Sequence, residues 1–478
     1  ISQVFKTDGK DRFIEIKNAD NTIAITPGMY YLAFYQDNTL LTGAPTYSIL
    51  LGNIPANGVD LFKSIPTTVP AYALAIATDF PNLQQFDGEN DIMIITRTND
   101  ATAYANRVDE LGDYSGNSIF HKDYTQEEYR SLVRMSCTPM GFPRVDYDEQ
   151  DWVGFNRFGI STTGTYDDSF EIAQGTLTNG ELGRHFSEVL RFTTFNFWDD
   201  LSTLAIDNTI NESLPDRSRI LDFEQSYNTS SYGDFEGCSL LVRQPKIVTI
   251  ASSDYAKIQT SVDVEDFAQF IVEDGGALVM VRDCYYQLTC NSQAGLDLIN
   301  LGTDGIMKAT KQTVAISGPY DYVYLSSPLS NNTANPRLNQ IFNFASGTGM
   351  FNPNRFYLFQ NDKFCDIYKR FSTIVGDTDG YDDNYDDYDP SDTALEQNAL
   401  MIPGRGYATW PPVPITAGDY NYTITFTGEM NNGIVTVPVF KNNSLSGRNA
   451  NLIGNPYPSA IDLDKFFAEN NTVIEPIA

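Results

Sequence analysis

The chain has 478 residues, with 31 lysines and arginines against 62 aspartates and glutamates, a net charge of −31. That length suggests about three domains, and 41% apolar residues provide for ordinary buried cores rather than a disordered chain. The acidic excess argues against nucleic acid and anionic membrane as partners, because a phosphate surface needs lysine and arginine.

Charged residues total only 19%, while Tyr (28) and Phe (30) are abundant. Aromatics suit half-buried strands, and Asn, Asp and Gly suit the turns between them, so an all-β fold is expected. The longest apolar runs, such as 71–77, fall far short of the ~20 residues a spanning helix needs, and a chain that does not span a membrane is expected. The opening Ile1-Ser2-Gln3-Val4-Phe5 reads as the strand-like start of a mature exported protein. Of five cysteines, Cys284 and Cys290 are close enough for a local disulfide. Cys137, Cys238 and Cys365 show no evident partner and read as buried small apolar residues.

The first segment, 1–157, alternates strand signals with turns. Phe13-Ile14-Glu15-Ile16, Tyr30-Tyr31-Leu32-Ala33-Phe34-Tyr35 and Asp91-Ile92-Met93-Ile94-Ile95 read as short buried strands at the spacing of a sandwich. Thr125-Gln126-Glu127-Glu128 reads as the cap of one helical turn. The segment 158–300 is a connecting β region, strongly aromatic between Phe186 and Phe197. Within it, at 238–281, short apolar triplets recur with their last members at Val242, Ile250, Ile258, Val264, Val272 and Val279. Steps of six to eight residues suit strands stacked as the rungs of a β-solenoid, with a β-meander as the alternative. The last segment, 301–478, is expected to form a C-terminal β-sandwich ending in an NPYPS motif at Asn455-Pro456-Tyr457-Pro458-Ser459.

Two sets of landmarks carry a resemblance. Ile1-Ser2-Gln3-Val4-Phe5, Arg12-Phe13-Ile14-Glu15-Ile16-Lys17-Asn18, Asp87-Gly88-Glu89-Asn90-Asp91, Arg107-Val108-Asp109-Glu110-Leu111-Gly112, Ser131-Leu132-Val133-Arg134 and Trp152-Val153-Gly154-Phe155 resemble, in order and spacing, the bacterial lamin-tail domain. That family implies an immunoglobulin-like sandwich; Phe13 stands where it usually has Trp. Farther on come Leu325-Ser326-Ser327-Pro328, Pro403-Gly404-Arg405-Gly406-Tyr407, a hairpin read at Gly433-Ile434-Val435-Thr436-Val437-Pro438-Val439, and Asn451-Leu452-Ile453-Gly454-Asn455-Pro456-Tyr457-Pro458-Ser459. Together these resemble large surface proteins of the Bacteroidota exported by type IX secretion. The resemblance implies an extracellular, cell-surface location and the type IX machinery as a partner. Such proteins continue into a C-terminal sorting domain, which the sequence to Ala478 does not show.

Chemistry is sparse. His121 and His185 are the only two histidines, and neither falls in a triad or metal spacing. HExxH, phosphate-loop and paired CxxC motifs are missing, so no catalytic residue is assigned and a non-enzymatic protein is expected. The concentrated feature is the stretch 377–392, with eight aspartates in sixteen residues and no base. A hard cation with six to eight oxygen ligands would relieve their repulsion, and Asp377, Asp379, Asp382 and Asp383 are the first candidates for Ca2+. A solvated acidic loop is the equal alternative. Asp392-Thr393-Ala394 resembles the O-glycosylation acceptor of that phylum, at Thr393. Tyr320, Tyr322 and Tyr324 share one strand face, where packing is the commoner role and sugar stacking the rarer. The function expected is a structural or adhesive surface protein, with self-association into fibres and surface glycans as further partners. The alternative is an exported cargo whose enzymatic or carbohydrate-binding part lies beyond Ala478.

Overall fold

A computed structural model describes residues 1–6, 12–20, 22–37, 41–56, 58–65, 77–112, 131–135, 151–155, 189–193, 198–199, 219–281, 299–313, 321–330, 337–342, 356–359, 385–387, 400–412, 421–439 and 451–474, with isolated positions between. It is built mainly from strands in several sheets, so the all-β expectation holds. No described helix is long and apolar enough to cross a membrane. The chain divides into two units, 1–225 with 236–240, and 226–235 with 241–478.

In the first unit, β1 (Gln3–Lys6), β2 (Arg12–Lys17), β3 (Tyr31–Tyr35), β4 (Tyr47–Leu50), β5 (Val59–Lys63), β6 (Thr78–Asp79), β7 (Ile92–Thr96), β8 (Arg107–Leu111), β9 (Ser131–Arg134) and β10 (Trp152–Phe155) make two sheets. Their orders are β10-β9-β1-β2-β5-β6 and β4-β3-β7-β8. Pairing is antiparallel except between β5 and β6. Successive side chains on a strand point to opposite faces. Val4, Ile14, Ile16 and Phe62 of one sheet therefore meet Leu32, Phe34, Met93 and Ile95 of the other in a single core, with Phe80, Phe86, Phe120 and Trp152 filling it. Ala33, Tyr35, Ile92 and Ile94 face the other way and are covered by Leu41 and Ala101. Cover on both faces explains why β3 and β7 read as continuous apolar runs rather than alternating ones.

Beyond this pair of sheets, β11 (Val189–Phe192) pairs antiparallel with β12 (Trp198–Asp199) and parallel with β13 (Ile220–Phe223). Phe192, Trp198 and Phe223 pack edge to face or tilted, with ring centroids 5.2–6.4 Å apart. The expected helical turn at 125–128 lies outside the described residues.

The second unit begins with β14 (Tyr227–Asn228) and a single turn, α1 (Thr229–Tyr232), capped by the Asn228 side chain, whose Oδ1 accepts from Ser230 N at 2.9 Å. The chain then winds through β15 (Phe235–Gly237) and β16 (Ser239–Val242), whose residues 236–240 count with the first unit, and through β17 (Ile247–Ile250), β18 (Tyr255–Ile258), β19 (Val262–Val264), β20 (Gln269–Val272), β21 (Ala277–Met280), β22 (Ile299–Leu301) and β23 (Ile306–Gln312). The ladders are parallel: Ile247 faces Gln269, and Tyr255 faces Ala277, twenty-two residues on in each case. Parallel ladders describe a solenoid and not a meander, whose neighbours would run antiparallel.

The period differs from the sequence reading. Steps of six to eight residues are the three sides of one coil, and stacking occurs between every third strand. Val248 sits on Phe270 and Phe270 on Met307; Ile250 sits on Val272 and Val272 on Ala309. All six are fully buried. Coils also bond at their corners, where Gln269 N donates to Lys246 O and Glu273 N to Ile250 O, both at 2.9 Å. Gly276 occupies such a corner because a Cβ there would lie 2.8 Å from Ile250 O.

The remaining chain adds β24 (Val323–Leu325), α2 (Leu338–Ile341), β25 (Phe356–Phe359), β26 (Tyr385–Asp387), β27 (Tyr407–Thr409), β28 (Thr423–Thr427) and α3 (Leu463–Glu469). β28 pairs antiparallel with β23. The other four strands form an antiparallel sheet in the order β24-β27-β25-β26.

Motifs scattered over more than a hundred residues converge here. Gly454 N donates to Gly404 O at 2.9 Å, Asn431 Nδ2 to Pro456 O at 2.9 Å, and the Tyr457 hydroxyl to Gly433 O at 2.6 Å. A Cβ on Gly454 would lie 2.3 Å from the Ser326 side chain. Their shared role is to lock loops together. The hairpin expected at 433–439 does not form among the described residues: the segment belongs to no strand, and Val435 and Val437 lie against Gly404.

Candidate functional site

The first unit has a half-open pocket of about 510 Å³ between the end of β2, the start of β8 and the loops that follow β2 and precede β3. Apolar alternation supplies its walls, including Ile16, Leu51, Ile95 and Val108. Its polar groups are mostly engaged in the fold. Asp109 is almost fully buried and accepts from Arg134 Nη1 at 2.8 and 2.9 Å, and the Arg134 guanidinium lies 5.2 Å from the Trp152 ring. Asn18 Nδ2 donates to Ile23 O at 2.8 Å and to Pro55 O at 3.0 Å, tying two loops together. Asp20 accepts from Thr22 N and Ile23 N, and these donors hold its carboxyl below the ordinary value.

Lys17 is the chemically distinct group. Burial holds its amine down to about 8, against the opposing charge of Glu15. An amine partly neutral near physiological pH, beside an apolar chamber, suits ligand binding. Sequence reasoning missed Lys17, since it carries no motif.

The residues singled out for metal, modification and bridging fall elsewhere. Asp377, Asp379, Asp382, Asp383, Thr393, Cys284 and Cys290 all lie outside the described residues, as do His121 and His185. Within the acidic stretch, Tyr385–Asp387 is strand β26, paired with Tyr357, Leu358 and Phe359. Among the described residues no group of three or more His, Cys, Asp or Glu side chains is placed to hold a metal ion.

Cys238 requires a correction. It is fully buried, but as half of a disulfide and not as a free apolar residue. It packs with Met135 and Ile220. The bridging was illegible because the two halves of a disulfide need proximity in space, not in sequence.

In the second unit, Tyr322 and Tyr324 flank the buried Val323 and are 48% and 62% exposed. Tyr322 meets Trp410 edge to face, with centroids 6.4 Å apart. Tyr320 lies outside the described residues. Tyr322 thus packs on the sheet surface against Trp410, and Tyr324 is the more exposed of the two described tyrosines.

Residues 215–477, more than half of the chain, match a family described as "Domain of unknown function (DUF8693)". The chain belongs to this family. The DUF8693 segment holds the solenoid from β13 onward, the β24-β27-β25-β26 sheet and the Tyr322–Trp410 face, whereas the Lys17 cavity lies before it. No curated protein and no solved structure matches the chain.

Proposed function

We propose that the chain is a non-enzymatic structural and adhesive protein of the cell surface, exported by type IX secretion. The solenoid is the observation that carries this reading. Each coil buries its apolar residues on the next and bonds to it at the corners, a construction that gives stiffness and display area. The Cys238 disulfide supports an oxidising, extracellular compartment. Six landmarks of the lamin-tail resemblance belong to the two-sheet first unit, and Asp109 of one pairs with Arg134 of another.

Calcium at Asp377, Asp379, Asp382 and Asp383 belongs to the same proposal, as do O-glycosylation at Thr393 and self-association into fibres. The test uses native cells. A membrane-impermeant label should modify the protein on intact cells, and electron micrographs of shed material should show fibres. Recovery of the protein from the cytoplasm with Cys238 reduced refutes the reading. Calorimetric titration with millimolar Ca2+ should release heat and raise the melting temperature; no response removes the calcium part.

A further inference from the structure

We propose that the face formed by Tyr322, Tyr324 and Trp410 binds a neutral polysaccharide chain. This rests on the adhesive reading and assigns its ligand class and contact residues.

β24 is the edge strand of its sheet, with Val323 turned into the core and its two tyrosine neighbours turned out. Residues two apart on a strand stand roughly 7 Å apart on one face. Across the ladder Tyr324 is opposite Ala408, and by the same register Tyr322 falls beside Trp410. Ala408 shares that face and is fully buried, so the larger side chains around it close over it and the exposed tyrosines form the outer surface. Asp321 is exposed at the margin, its carboxylate accepting from Gly318 N at 2.9 Å.

A pyranose ring presents flat patches of C–H bonds whose partial positive charge meets the negative face of an aromatic ring. Its hydroxyls lie at the rim, where the tyrosine hydroxyls and the Asp321 carboxylate can reach them. Sugar units repeating along a chain match rings repeating along a strand. The net charge of −31 and the carboxylate at the margin repel uronate, sulfate and phosphate, which selects an uncharged chain. A proline-rich peptide, the other usual partner of exposed aromatics, docks in an aromatic-walled groove; these tyrosines stand on an open strand face.

Affinity electrophoresis of the full chain tests the assignment, through gels cast with galactomannan, xyloglucan or a soluble β-glucan, and in parallel with alginate or poly-proline. Retardation by at least one neutral polysaccharide is expected, and none by alginate. Tyr324→Ala should weaken it about tenfold, the order found when an aromatic stacking platform is truncated. Tyr324→Phe should keep most of it, and Lys257→Ala, on the solenoid, should keep all of it. Trp410 emission should shift on adding the bound polysaccharide, while Trp152 and Trp198, buried in the first unit, contribute no change. Because Tyr324 is exposed, its variants should melt with the parent, which separates lost binding from lost folding. Retardation that survives Tyr324→Ala and Tyr322→Ala overturns the site, as does binding to poly-proline alone. No retardation by any neutral polysaccharide, with the protein still labelled on intact cells, overturns this inference and leaves the surface reading standing.

Discussion

Phe270→Ala tests the solenoid at its most loaded position. The ring is fully buried between Val248 of the preceding coil and Met307 of the following one, both also fully buried. Truncation removes apolar contact at two coil interfaces and leaves a cavity that neighbours fixed in ladders cannot collapse into. Buried Phe→Ala changes cost about 3–5 kcal/mol, and contact on both sides places this one near 4 kcal/mol. Ile271→Ala alters the adjacent, outward-facing, half-buried side chain and should cost about 1 kcal/mol. Hydrogen exchange read by mass spectrometry is the assay, because solenoid stability is a sum of neighbouring terms and the loss should be local. Peptides covering 247–281 should exchange roughly a thousandfold faster in Phe270→Ala, with those from β1 to β8 unchanged. Equal effects of Phe270→Ala and Ile271→Ala, or a loss spread evenly over both units, would refute the stacked arrangement.

Asp109 holds two buried cations, so removing it should be more damaging than removing one of them. Asp109→Asn leaves the Arg134 guanidinium and the Ile1 amine uncompensated and should cost about 3–5 kcal/mol in urea unfolding, whereas Arg134→Met keeps the Ile1–Asp109 contact and should cost less; equal losses would count against it. The Lys17 amine should titrate near 8 by NMR. Its folded-state pKa lies below its unfolded value, so unfolding takes up a proton between about 8 and 10.5, and stability from this group rises with pH across that window. Lys17→Met should abolish that slope; titration at the ordinary lysine value would remove the desolvated amine. Cys238 should alkylate only after reduction, and reduction should lower stability by about 2–4 kcal/mol. Labelling of the unreduced native chain would contradict the bridge.

Much of the fold was legible because it is written locally. Apolar residues cluster where a strand is buried whatever it pairs with, so the triplets ending at Val264 and Val272 marked the strands Val262–Val264 and Gln269–Val272 from the sequence alone. The cavity was not legible. The depressed basicity of Lys17 arises from desolvation in a chamber walled partly by Leu51 and Ile95, which the chain order separates widely. The Cys238 bridge was hidden for the same reason.

By itself the sequence determined that this is an all-β chain, where its short strands lie, and which side chains they turn inward. Those properties follow from backbone periodicity and composition, which act over a few residues. The tertiary structure decided which strands pair. A ladder joining Ile247 to Gln269 leaves no mark in either segment, so three apolar triplets that look like three rungs become the three sides of one coil. It likewise decided that Tyr322 and Tyr324 face solvent, because a period of two is the same for a covered face and an open one, and only the layer packed above distinguishes them.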